Sequence, residues 1–226
     1  IIVASTLDPR DAASVIDERL NIVYSPPLIR LGHVIHDMAK ASIALIGTTR
    51  ESRYRLALNF FKWDEYGTHV LMADPVTTAV SKLAINTTLS MRIGWANEIA
   101  ETASMYRADV NKVMAAVQAD PRLGNGYMNP GWPASGPCLP RDLEMWVSLG
   151  GGTMAKALVE SHDEASSDIV EKVKLLMHIK NRTNVAVLGL TYNPGAMDIT
   201  NSQGVAVARS LQALGLKVRV YDPASK

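Results

Sequence analysis

The chain has 226 residues, of which 47% are hydrophobic and 20% charged, and its formal net charge is +1. This describes a globular chain able to bury a core, and it gives no electrostatic case for nucleic acid or an anionic membrane surface as partner. No apolar run approaches the ~20 residues that span a bilayer, and no signal-like segment opens the sequence, so the cytoplasm is the expected location.

In chain order, Ile1–Ser5 reads as a buried strand running into a turn at Leu7-Asp8-Pro9-Arg10. A helix is expected over Asp11–Glu18, then strands at Leu20–Tyr24 and Ile43–Gly47, a helix at about Arg50–Trp63 and a strand at His69–Met72. Asp74-Pro75 marks a boundary. From Val76 to about Arg107 an apolar pattern of helical period persists (Val76, Val80, Leu83, Leu89, Ile93, Ile99), which predicts one long helix with Pro75 near its first position. Asp109 is placed to cap a second helix that ends at Ala119. Helices over Leu139–Leu149 and about Met154–Ile179 follow. Asn184–Leu190, Ser202–Leu214 and Lys217–Tyr221 then read as a parallel β-α-β unit, its helix stopped by Gly215.

The chain has one cysteine, Cys138, in Gly131-Trp132-Pro133-Ala134-Ser135-Gly136-Pro137-Cys138-Leu139-Pro140-Arg141-Asp142. It can form no internal disulfide, so a special role must come from thiolate chemistry. No second Cys or tight His pair offers a metal partner. His33 and His36 are close to each other but lack a third ligand, and no metal site is expected. Lys82 and Asn86 are four apart and share a helical face; taken alone they would be solvated surface residues.

The cysteine segment, Ser81-Lys82…Asn86, Asn97-Glu98, Asp120-Pro121-Arg122-Leu123-Gly124, Val185–Gly189 and Tyr221-Asp222-Pro223 together resemble the nucleotide-sugar dehydrogenases, the UDP-glucose/GDP-mannose dehydrogenase family. The resemblance runs through essentially the whole chain in the family's order. It implies an α/β chain in three parts: residues 1–75 as the distal part of a Rossmann-like NAD-binding domain, 76–180 as a central helical catalytic and dimerisation domain, and 181–226 as the start of a second Rossmann-like domain that binds the nucleotide sugar. It further implies NAD as cofactor, a nucleotide sugar as substrate and a homodimer built on the long helix. Cys138 would be the nucleophile, and Lys82 and Asn86 the groups that stabilise or position at the oxyanion. Asp142 would hold the hydrolytic water, Thr6 would orient a water, and Ser5 and Thr6 would lie on the cofactor side. Arg122, Tyr127 and Gly136 would contact substrate. The implied reaction turns a primary alcohol into a carboxylate by two hydride transfers through a thioester on Cys138.

Three positions depart from the family pattern: Pro27 stands where a Glu is usual, Asn193 where a Lys is usual, and Thr200 where an Arg is usual. The alternatives are a different sugar nucleotide, such as GDP-mannose or an N-acetylated UDP-sugar, and a divergent inactive dimerisation scaffold. No strand is followed by Gly-x-Gly-x-x-Gly, and Ile1 opens in mid-strand. The expected reading is therefore an internal portion of a longer family member that, alone, shows no measurable NAD affinity.

Overall fold

The structure is a computed structural model and describes residues 1–15, 20–63, 65–124, 126–193 and 195–224. It is a mixed α/β chain with parallel strand pairs and one long central helix. Its residues separate into two compact units, 1–85 and 86–226.

In the first unit, β1 (Ile2–Val3), β2 (Val23–Tyr24), β3 (Ile43–Gly47) and β4 (His69–Ala73) form one sheet in that order. β1 with β2 and β3 with β4 are parallel; β2 meets β3 antiparallel through the single pair Tyr24↔Gly47. β2 is short because Pro26 and Pro27 follow it and have no N–H for a ladder; Ser25 makes the last rung, donating its N–H to the Val3 carbonyl at 2.9 Å. β1 is likewise shorter than the strand expected over Ile1–Ser5. Helix α1 (Pro9–Val15) follows β1, and the rest of the helix expected to Glu18 lies outside the described residues. α2 (Val34–Ala39) precedes β3, and Asp37 on it takes a fork from Arg30, Nε at 2.9 Å and Nη2 at 2.7 Å. That guanidinium holds the Asp37 carboxyl well below the usual carboxylate range.

Helix α3 (Glu51–Phe61) packs its Ala57 with Val23, Ala44, Ile46 and Trp63 to make one core of this unit. A second core joins Ala12, Tyr24 and Ala79. The two meet at Gly47, where a Cβ would stand 2.9 Å from the Tyr24 ring and 3.2 Å from the Thr78 hydroxyl. Tyr24 and Thr78 are fully buried and have nowhere to retreat. Gly47→Ala should therefore destabilise the chain by about 1–3 kcal/mol, read as a lowered denaturation midpoint at unchanged slope.

Helix α4 (Pro75–Met105) is the long helix. Asp74 starts it by accepting from the Thr77 N–H at 3.0 Å and the Thr77 hydroxyl at 2.5 Å, bonds that hold its carboxyl below the ordinary value. Of the apolar residues that announced the helix, Leu83 alone is buried. Val76 and Val80 are exposed, whereas Thr78, Lys82, Asn86 and Ser90, one every four residues, are buried together with Leu83 and Thr87. A polar row is stable inside a protein only where it is hydrogen-bonded or serves a site.

In the second unit, α5 (Val110–Ala119) is capped by Asp109, whose carboxylate accepts from the N–H groups of Asn111 and Lys112. Ala96 of α4, Met114 of α5 and Met128 of the loop beyond share a core. α6 (Leu139–Ser148) and α7 (Thr153–Ile179) follow. β5 (Asn184–Leu188) and β6 (Lys217–Tyr221) pair in parallel over five residues, with α8 (Gln203–Ala213) between them in sequence. Val170, Val207 and Leu211 form the core of this part, against Val185, Val187 and Val218. Among the described residues no helix is long and apolar enough to cross a membrane.

Candidate active site

Cys138 is the residue that opens α6, half-buried, with Pro140 in the helix's first turn. Its carbonyl accepts the Asp142 N–H at 2.9 Å, the first full turn. The helix start thus places the Cys138 side chain at the positive end of the helix dipole, where negative charge is favoured. It also sets Asp142 one turn along.

Asp142 is completely buried, and both its oxygens are engaged. Oδ1 accepts from Arg141, Nε at 2.8 Å and Nη2 at 2.7 Å; Oδ2 accepts from Asn86 Nδ2 at 2.6 Å. A carboxylate can only accept here, so the amide orientation of Asn86 is fixed. Its N–H₂ faces Asp142 and its Oδ1 is turned to act as an acceptor. Lys82 lies one turn earlier on α4 and is 5% exposed, as is Asn86. The pair that would read as surface residues in isolation is buried.

The loop from Asp120 to Pro137 is shaped from α4 by Arg92, which sequence reading missed, and by Asn97, to which it assigned no role. Arg92 donates through all three of its guanidinium nitrogens: to the Gly126 carbonyl at 2.6 Å, Leu123 at 2.9 Å and Gly124 at 3.1 Å. Asn97 Oδ1 accepts the Gly131 N–H at 2.7 Å. An Arg six residues beyond Asn86 was the available signal, but nothing local in sequence says that it binds carbonyls more than thirty residues away. Within the loop, Tyr127 has φ +59 and is partly exposed. The guanidinium of Arg122 is exposed and forks onto Asp120, Nη2 to Oδ2 at 2.6 Å, and that carboxylate raises the Arg122 pKa.

Gly136 sits two residues before Cys138 with φ +82, and a Cβ there would meet the Tyr192 ring at 2.6 Å. The strand-end loop that carries Tyr192 is clamped by Asp222. One oxygen accepts the Leu190 and Thr191 N–H groups at 2.7 and 2.8 Å, and the other accepts from Ala224 N–H. These backbone bonds hold the Asp222 carboxyl far below its usual range. They act on the ionised form, so their stabilisation is complete above the ordinary carboxylate pKa, about 4, and is lost as pH falls below that. Asp222→Asn should flatten the fall of the unfolding midpoint between about pH 4 and pH 2; an unchanged acid limb would contradict this.

The second unit therefore brings together Asn86 with Asp142 and carries Gly136, Cys138, Tyr127 and Arg122, while Ser5, Thr6 and Lys82 belong to the first unit. Ser5 is exposed and Thr6 partly so, just beyond β1. Thr200, at a departing position, gives its N–H to Asp198 at 2.8 Å. Among the described residues no group of three or more His, Cys, Asp or Glu could hold a metal. A cavity of about 300 Å³ lined by Lys174, His178, Arg182 and Leu214 includes none of the candidate residues.

A dinucleotide needs a helix N-terminus entered through a Gly-rich turn for its diphosphate. In the first unit α2 is entered through His33, α3 through Arg50 and α4 through Asp74, and the Asp8 carboxylate just before α1 is forked by Arg10. Among the described residues, none of these helices of the first unit is entered through such a turn.

Residues 77–165 match the profile of the UDP-glucose/GDP-mannose dehydrogenase family, central domain. A UDP-glucose 6-dehydrogenase of Rickettsia bellii (strain RML369-C) is 26% identical over 237 residues, covering 99% of this chain and 54% of that protein. One from Bacillus subtilis (strain 168) is 27% identical over 209 residues, covering 90% and 45%. A solved UDP-glucose dehydrogenase from the archaeon Pyrobaculum islandicum superposes with a TM-score of 0.86 at 28% identity, over 98% of this chain and 54% of that one. The chain spans about half the length of the curated relatives it matches. The central helices thus match that family's central domain, and the chain is similar to these relatives over nearly its whole length.

Proposed function

We propose that this chain carries the thiol part of the active site of an enzyme that oxidises the primary alcohol of a nucleotide sugar, UDP-glucose first among candidates, to the carboxylate. The observation that supports it best is the buried Asp142, on the helix that Cys138 opens, which takes the half-exposed Arg141 on one oxygen and holds the buried Asn86 of α4 with the other. A buried carboxylate spent on fixing one amide costs desolvation, and a site that needs that amide oriented gives a reason for it.

In this reading the sulfur of Cys138 attacks an aldehyde at the oxidised carbon. A C–S bond forms and the carbonyl electron pair moves to oxygen. That oxyanion forms beside the positive end of α6, and the resemblance assigns Lys82 to neutralise it. Loss of a second hydride leaves a thioester. Water then adds to its carbonyl and expels the thiolate, giving the acid. Asn86 Oδ1, held as an acceptor, suits a water O–H, and Asp142 works as the positioning group behind it. The resemblance gives Thr6 a share in orienting water, Ser5 and Thr6 the cofactor side, and Arg122, Tyr127 and Gly136 the sugar. NAD is the hydride acceptor it implies; no part of the transfer is assigned to the described residues.

The complete gene product should be supplied with NAD and, in turn, UDP-glucose, GDP-mannose and an N-acetylated UDP-hexosamine. One of them should give its acid with two NADH per sugar. Pro27, Asn193 and Thr200 replace three charged groups of the family, and these losses favour a second reading, a helical scaffold without turnover. Failure on every substrate by a folded protein would favour it.

We also propose a homodimer through α4, supported by Trp95, 56% exposed on that helix. An unpartnered helix face of this kind gains by burying its aromatic against a two-fold copy. Light scattering should give a dimer at micromolar concentration, and Trp95→Asp a monomer. A clean monomer in the unaltered protein would end the idea.

A further inference from the structure

Tyr192 has no part in the chemistry described so far, yet the fold fixes it against the cysteine loop. Its ring lies on the backbone of Gly136, close enough that a Cβ there would stand 2.6 Å from Cδ2 and Cε2 and 3.0 Å from Cζ. The contact explains why this position takes a residue without a side chain, as the φ of +82 already favours. Polar bonds hold the two segments in register. The Ser135 hydroxyl donates to the Tyr192 carbonyl at 3.4 Å, Asn201 Nδ2 donates to the Gly136 carbonyl at 3.3 Å, and the Tyr192 N–H donates to the Asp198 carbonyl at 3.2 Å. Behind them, Asp222 clamps Leu190 and Thr191. The backbone that carries the ring cannot slide along the loop without breaking this set.

Burial, first, and then the charges of Cys138, Asp198 and Tyr127 raise the Tyr192 phenol above its ordinary value. The ring lies on Gly136, two residues before Cys138, and at neutral pH the phenol keeps its proton.

We propose that Tyr192 is a further residue of the thiol site, its O–H held over Gly136 to donate a hydrogen bond to the carbonyl oxygen that Cys138 attacks. This rests on the function proposed above. A neutral donor aimed where negative charge develops strengthens its bond as the C–S bond forms, and so lowers the barrier rather than merely binding the sugar. Such a group would act in a chain that has lost three of the family's usual charged groups.

Two measurements on the complete gene product test it, one of them independent of turnover. With tyrosine labelled at ¹³Cζ, the resonance that disappears in Tyr192→Phe is assigned to Tyr192 and titrated. It should titrate above an ordinary phenol, and in Cys138→Ala its midpoint should move down, because the thiolate charge is gone. The same midpoint in both proteins would overturn the placement, whether or not the enzyme turns over. In kinetics, Tyr192→Phe keeps the ring against Gly136, so melting temperature and KM should hold while kcat falls on the order of 10²-fold, as for removal of one oxyanion donor. Unchanged kcat would overturn the role. If the unaltered protein oxidises no nucleotide sugar, the proposed function fails on its own account, and an unmoved or shifted titration still decides the contact.

Discussion

Cys138→Ala in the complete gene product is expected to abolish formation of the sugar acid, with a loss on the order of 10⁴-fold or more, as for removal of a covalent nucleophile. With no sulfur there is no hemithioacetal, and an aldehyde that cannot be held covalently cannot become an acyl group for water to cleave. Release of the aldehyde with at most one NADH per sugar is consistent with this, since the first oxidation does not use the thiol. Cys138→Ser should do little better, because a hydroxyl is scarcely ionised near neutral pH and its ester hydrolyses more slowly than a thioester. The helix itself should survive both changes: the Cys138 side chain makes no capping bond, and the turn is closed by the backbone bond from Asp142. Thermal unfolding at an unchanged midpoint would separate lost chemistry from lost fold.

The second large effect is expected at Asp142. Asp142→Ala removes a fully buried acceptor from the buried Asn86 and from the half-exposed Arg141 at once, and should cost about 1–3 kcal/mol. Most of that penalty comes from what remains: the buried Asn86 amide loses its partner and a cavity opens beside α4. Asp142→Asn keeps the volume and one carbonyl oxygen for Asn86, and should cost markedly less. The pair should also be coupled. Asn86→Ala with Asp142→Ala should cost less than the sum of the single changes, by about 1–2 kcal/mol, because the second change removes a group already orphaned. Additive costs in urea denaturation would mean that the 2.6 Å bond contributes nothing in solution. In activity, Asp142→Asn separates the roles: if Asp142 only holds Asn86 in place, substantial turnover should remain.

Much of this fold was legible because its helices announce themselves at both ends. Asp109 before Val110, Ser202 before Gln203 and Gly215 after Leu214 are start and stop signals that act locally, and the structure uses each of them. β3, β4, β5 and β6 were readable as short apolar runs between turns. What stayed hidden depends on contacts far apart in sequence. The apolar residues of α4 gave its period correctly, but beside Ala79 and Leu83 the helix also buries the polar row Thr78, Lys82, Asn86 and Ser90, which no local pattern announces. The antiparallel pairing of Tyr24 with Gly47 is not announced by any pattern within β2 or β3.

The site was legible to a similar depth. Cys138 stood out by its Gly and Pro setting, and Asp142 by its spacing. Fixing the orientation of Asn86 required the carboxylate 56 residues away. Arg92 and Tyr192 gave no local sign of their parts, since one binds backbone carbonyls and the other packs on a glycine.

The central claim is that Cys138 carries the sugar as an acyl group. It is tested most directly by quenching the complete gene product in acid during turnover with NAD and the accepted nucleotide sugar, and mapping the protein by mass spectrometry. The account predicts an acyl-sugar adduct on the peptide containing Cys138 that appears and decays with turnover and is absent from Cys138→Ala. Acid formation with two NADH per sugar in Cys138→Ala, and no adduct on Cys138 in the unaltered protein, would contradict it.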